Sequence, residues 1–139
     1  MKPKTPKPKH KTVMLIDDSA VENHINEIII KSNHFAETVY KFSGAECSLE
    51  FFKNIEMIKN VSMELLPEFI FLDINMPSLD GFQFLDEFKS YSASLKKEIK
   101  IVILTSSDHP FDIEKAGHYK QVVKFITKPL TEADLDDLG

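Results

Sequence analysis

At 139 residues, 42% of them hydrophobic, the chain is the size of one ordinary domain and can bury a core without disulfides. Its single cysteine, Cys47, has no internal partner, and no apolar run reaches the ~20 residues of a membrane span. The net charge of −5 comes with no arginine at all, which excludes guanidinium clamps on phosphate and makes a nucleic-acid surface a poor expectation.

The first eleven residues, MKPKTPKPKHK, alternate lysine with proline and contain no acid. Setting their five lysines aside leaves 12 lysines against 22 acidic residues, a net −10 for the rest of the chain. Proline at this density suits neither a helix nor a sheet interior. Residues 1–11 are therefore expected to be a disordered basic tail, and residues 12–139 the folded domain. With no charged-then-apolar leader in the sequence, the expected location is the cytoplasm.

Short apolar runs then recur at 13–16, 38–42, 69–72, 101–104 and 122–126. Runs of this length, rich in Val, Ile and Phe, suit strands, and their near-continuous apolarity suits a parallel sheet covered on both faces. Helical patterns separate them. Over 19–32, Val21, Ile25, Ile28 and Ile29 form an apolar stripe behind a Ser19/Glu22 capping signature. Ser43 and Glu46 repeat that signature ahead of Leu49, Phe52 and Ile55. Residues 81–92 carry Leu85 and Phe88 inward, with Gln83 and Glu87 outward. Pro110 opens a helix to about Tyr119, and Thr131 with Asp134 begins a short last one. The segment 57–66 is apolar enough to pack or bind. Five strands alternating with about five helices predict a doubly wound α/β fold, whose ligands bind beyond the carboxyl ends of the strands.

Those ends carry chemistry. The first strand runs into Asp17-Asp18-Ser19, the third into Asp73-Ile74-Asn75, the fourth into Thr105 and the fifth into Thr127-Lys128-Pro129. Singly, each has a plainer reading, as a helix cap, a strand-end hydroxyl or a surface lysine. Jointly they put three carboxylates, a hydroxyl and an ammonium on one edge. Clustered carboxylates repel, and a divalent ion relieves them; an oxygen-only set favours Mg²⁺. One carboxylate then remains as a nucleophile toward phosphorus, with Lys128 balancing charge and Thr105 donating a hydrogen bond. None of the five histidines has partners at metal-ligand spacing.

With these residues in hand, the chain from about 12 to 138 resembles the receiver domains of two-component response regulators. The segment LDINMPSLDGFQFL (72–85) is similar to that family's phosphorylation-site segment. The resemblance implies a flavodoxin-like sheet in the order 2-1-3-4-5. It makes Asp73 the phosphoacceptor and gives Mg²⁺ to Asp17, Asp18, Asp73 and the backbone carbonyl of Asn75. Thr105 matches the switch hydroxyl, Phe125 the switch aromatic and Lys128 the family lysine, with the bond to Pro129 cis. Gly81 suits the turn that opens the third helix.

The implied partners are a sensor histidine kinase or histidine phosphotransfer protein as donor and a downstream protein target. The domain would catalyse only its own phosphorylation and dephosphorylation, as a monomer or weak dimer, without nucleic acid or membrane insertion. The output is expected on the face of the helix after 110, the last strand and the last helix, although that last helix is short for the family. Two alternatives stand beside this one. A receiver-like module could act without phosphorylation. A haloacid dehalogenase-type phosphatase also uses an aspartyl nucleophile, but in an Asp-x-Asp pair, whereas Asp17 and Asp18 are adjacent.

Overall fold

The apolar runs pair as one five-stranded sheet ordered β2-β1-β3-β4-β5, with every neighbouring pair parallel. The computed structural model describes residues 7–58 and 63–139. In chain order the elements are β1 (His10–Ile16), α1 (Ala20–Ser32), β2 (Ala36–Phe42), α2 (Ala45–Met57), β3 (Phe69–Leu72) and α3 (Gly81–Phe88). There follow α4 (Ala93–Lys96), β4 (Lys100–Thr105), α5 (Pro110–Ala116), β5 (Val122–Thr127) and α6 (Glu132–Leu138). This is the expected flavodoxin-like winding. Among the described residues six α-helices stand where about five helices were expected, because the stretch after α3 contains the single turn α4. No described helix is long and apolar enough to cross a membrane.

Alternate residues of a strand face opposite sides, and here both sides are covered. Met14, Ile16, Ile70, Leu72, Ile101 and Ile103 pack with Phe52 of α2 and Phe84 and Phe88 of α3. Val13, Leu15, Phe71, Val102 and Leu104 pack with Ile30 of α1 and Leu135 of α6. Hence all four residues of β3 and the last five of both β1 and β4 are buried.

The sheet begins inside the stretch expected to be tail. Lys9 N and His10 N donate to His34 O and Phe35 O, which brings His10 and Lys11 into β1. The His10 ring packs against Phe35 and Phe69, with centroids 4.7 and 4.9 Å away, and its Nδ1 lies 2.7 Å from Glu68 Oε2. One ring anchors this end against a composition that argues for solvent. Residues 1–6 of the tail, and 59–62 of the apolar segment expected over 57–66, lie outside the described residues.

α1 turns a different face inward from the one its apolar stripe predicted. Asn23, Asn26 and Ile30 are buried, while Val21, Ile25 and Ile28 are exposed and Ile29 alone of the stripe packs, partly buried, on the core. The Asn23 amide explains the rotation: its Nδ2 donates to Asp17 O and Phe42 O, both at 3.1 Å, tying the helix to the ends of β1 and β2. A buried carbonyl without a donor costs about 1–3 kcal/mol, comparable with burying one more aliphatic side chain. The polar tie wins.

Capping also differs in detail. Ser19 Oγ accepts from Glu22 N as expected, but Gly44 rather than Ser43 caps α2, without a side-chain bond. Asp80 and Gln83 close a full capping box on α3, so Gln83 is occupied there. The Thr131/Asp134 box on α6 is present. α5 starts with Pro110 at its first turn and ends at Ala116, before the expected Tyr119.

The rotation of α1 is testable by chemical denaturation. Ile30→Ala should cost about 2–5 kcal/mol, as a large-to-small change in a packed core. Ile28→Glu should change stability by less than about 0.5 kcal/mol. Equal losses from the two would mean that the apolar stripe faces the sheet.

Candidate functional site

The site residues are held by the sheet ladder continued one step beyond the strands. Asp17 N donates to Phe42 O at 3.1 Å, Asp73 N to Ile16 O at 3.0 Å and Lys128 N to Thr105 O at 2.7 Å. Backbone pairing therefore sets where each side chain starts. Asp17 and Asp73 are buried, Thr105 is fully buried, and Asp18 is exposed.

The structure brings together Asp17, Asp18, Asp73, Thr105 and Lys128. Asp73 Oδ1 accepts from Thr105 Oγ1 at 2.8 Å and from Asn75 N at 3.0 Å. Its Oδ2 lies 3.4 Å from Lys128 Nζ, which donates to Asp17 Oδ2 at 2.7 Å. Asp17 Oδ1 accepts from Ser19 N at 2.9 Å. Burial pulls the Lys128 ammonium down, but its hydrogen bond to Asp17 and the charges of Asp73, Asp17 and Glu22 outweigh this. Its pKa stands above the ordinary lysine value of 10.5, so the group stays cationic.

Carboxylate oxygens of Asp17, Asp18 and Asp73 all lie within 4.8 Å of one another. Three negative charges thus face one ammonium across an oxygen-only donor set. That chemistry fits a hard divalent cation such as Mg²⁺, which takes one or two carboxylates and keeps waters.

Phe125 stands apart from this cluster. It is partly buried and packs against the core on the α2/α3 face. The Lys128–Pro129 bond is cis.

Two neighbours of the site, Asn23 and Glu22, were not anticipated, nor was the side-chain bond of Asn75, expected only through its backbone carbonyl. Asn23 fixes the backbone oxygen of Asp17, and Glu22 Oε2 lies 3.9 Å from Lys128 Nζ. The Asn75 side-chain amide donates to Thr105 Oγ1 at 3.3 Å. Glu22 had been accounted for as a cap, and a polar residue inside a helix gives no signal of what it ties.

The strand order and the acids beyond the carboxyl ends place the molecule among receiver domains, which are signalling domains of two-component systems. The chain belongs to the response regulator receiver domain family, whose profile matches residues 13–138. It is similar to Protein PilG of Pseudomonas aeruginosa, 31% identical over 125 residues that cover 88% of this chain and 80% of that protein. Response regulator Rcp1 of Synechocystis sp. is 26% identical over 125 residues, 90% of this chain and 81% of that protein. Among solved structures, a two-component response regulator from Cytophaga hutchinsonii superposes with a TM-score of 0.81 at 28% identity, covering 96% of this chain and 95% of that one.

Gly81 is the tightest point of the site's frame. A Cβ there would fall 2.6 Å from Ile74 Cα and 2.7 Å from Asp73 O, both backbone atoms that cannot swing aside. Gly81→Ala should therefore cost about 1–3 kcal/mol and displace the β3–α3 turn. Urea denaturation together with the amide NMR shifts of Asp73 and Ile74 checks this. Wild-type stability with unmoved shifts would show that the turn has slack.

Proposed function

We propose that the domain accepts a phosphoryl group on Asp73 from a phosphohistidine and returns it by hydrolysis, with Mg²⁺ held by Asp17, Asp18 and Asp73. The backbone carbonyl of Asn75 would complete the protein ligands. The donor is a sensor histidine kinase or a histidine phosphotransfer protein. The observation that carries this reading is the excess of three clustered carboxylates over one lysine, two of them buried. A structural ion pair needs no such excess; a divalent cation does, and once bound it can offset charge on a phosphoryl group. Rcp1 has been solved in a Mn²⁺-bound form, which supports a divalent ion in a receiver of this fold.

The chemistry follows from the geometry of Asp73. Its Oδ1 is engaged by two donors, which leaves Oδ2, on the Lys128 side, as the freer oxygen. In the transfer an O–P bond forms at the Asp73 carboxylate while the P–N bond of the donor breaks, and the released imidazole takes a proton from solvent. Lys128 offsets charge on the phosphoryl oxygens, and Thr105 offers its hydroxyl to one of them. A bound Mg²⁺ supplies charge neutralisation at those oxygens. Val21, Ile25 and Ile28 give a donor protein an apolar surface on the helix that begins just after Asp18.

The output is a shift between two populations. Thr105 leaves Asp73 Oδ1 for the phosphoryl group, Phe125 moves inward, and the face of α5, β5 and α6 changes for a downstream protein. The domain acts only on itself, as a monomer or weak dimer in the cytoplasm.

Mass spectrometry after acetyl phosphate with Mg²⁺ tests this directly. The wild type should gain one phosphoryl mass and Asp73→Asn none, and calorimetry should show Mg²⁺ binding weakened about tenfold or more by Asp17→Asn. An adduct persisting in Asp73→Asn would move the acceptor elsewhere. No adduct in the wild type, with the fold intact, would favour a module that works without phosphorylation.

A further inference from the structure

A second charged concavity lies at the other edge of the sheet and takes no part in the chemistry above. The helices run back from the carboxyl edge, so the ends of α3 and α5, the turn α4 and the approach to β5 converge there. Lys89, Lys96, Lys115 and Lys120, with His118 and Tyr119, line a cavity of about 510 Å³. No acidic residue lines it. Lys96 Nζ donates to Lys89 O at 2.6 Å, and Lys115 Nζ stands 4.3 Å from the Phe82 ring centroid. Lys89 has an exposed contact to Asp86 at 3.7 Å, and that carboxylate also accepts the Tyr119 hydroxyl at 2.8 Å. Among the described residues, Lys96, Lys115 and Lys120 form no ion pair with an acid.

Lysines at helix carboxyl ends are ordinary, since they offset the helix dipole. That accounts for one cation per helix end. It covers Lys89, Lys96 and Lys115 one by one, but not their convergence with Lys120 on one hollow whose lining, among the described residues, holds no acid, in a chain whose other residues carry 13 lysines against 22 acids. Like charges gathered in a concavity focus a positive potential and raise the local concentration of anions. Ammonium groups on flexible stems suit phosphate oxygens approached from several directions. The cavity also falls within the range of about 300–1,000 Å³ common for small-molecule sites.

We propose that this cavity binds a small polyphosphate anion, one with at least two phosphate groups, at a site distinct from Asp73. A nucleoside polyphosphate and an inorganic phosphate chain share this chemistry, and the two can be told apart.

The test is an NMR titration of the full chain with tripolyphosphate and, separately, with ATP. Divalent ions are left out, so that neither ligand reaches the acids through a metal, and ionic strength is matched with chloride. The amides of Tyr119 and Gln121 should shift while that of Asp73 stays, with a Kd below about 1 mM. The double variant Lys115→Gln/Lys120→Gln, both exposed, should weaken binding about tenfold or more and leave labelling by acetyl phosphate unchanged. Equal affinities assign the phosphate chain alone, and tighter binding of ATP assigns a nucleotide. The proposal fails if neither compound moves those amides or if the double variant binds as the wild type does. It fails equally if only a polyglutamate peptide binds, which would make the patch a protein-docking surface.

Discussion

One lysine holds two buried carboxylates, and the charge balance of the whole carboxyl edge depends on that. Asp17 and Asp73 are 4% and 6% exposed, so each has lost most of its water. An ionised carboxylate in that position must find donors or give up its charge. Asp73 finds the hydroxyl of Thr105 and the amide of Asn75, and Asp17 finds the amide of Ser19. Lys128 reaches both at 2.7 and 3.4 Å. Removing one member of such a set costs more than the set contributes, because the others are left buried without a counter-charge. The third acid, Asp18, stays exposed, where its charge costs least. The result is a stable frame that still has negative charge to spare.

That frame is built from the backbone before any side chain acts. Asp17, Asp73 and Lys128 each donate a main-chain N–H to the end of a neighbouring strand. β1, β3, β4 and β5 therefore deliver their terminal residues in fixed register, and a shift of one residue would turn every one of these side chains to the other face. Gly81 closes the frame from the helix side by letting α3 start against the backbone of Asp73 and Ile74.

The features legible in the sequence share one physical cause, and so do those that were not. A parallel strand covered on both sides must be apolar throughout, so β1, β3 and β4 stood out as runs, and the acids stood out because they interrupt them. The face of α1 could not be found this way. Periodicity weighs apolar side chains, while Asn23 orients the helix by donating to two strand-end carbonyls. The same blindness hid the first residues of β1, where His10 anchors a lysine- and proline-rich stretch by packing between two phenylalanines. It also hid the capping box of α3, since Gln83 looks like an outward polar residue until its side chain is seen to accept from Asp80 N. Interactions that run through side-chain amides and single rings leave no period to read.

Thr105 is where these threads meet. Its hydroxyl donates to Asp73 and accepts from the Asn75 amide, while its carbonyl accepts from Lys128 N. It also pairs in register with Thr127 across the β4–β5 ladder. The hydroxyl is fully buried and has a partner on each side, so it spends no hydrogen-bonding capacity on solvent. Phe125 sits in the same ladder opposite Ile103, two residues back from that pairing. Thr105, Lys128 and Phe125 thus all hang from one parallel strand pair, β4 with β5 and its continuation, so a single ladder positions the hydroxyl, the ammonium and the aromatic ring.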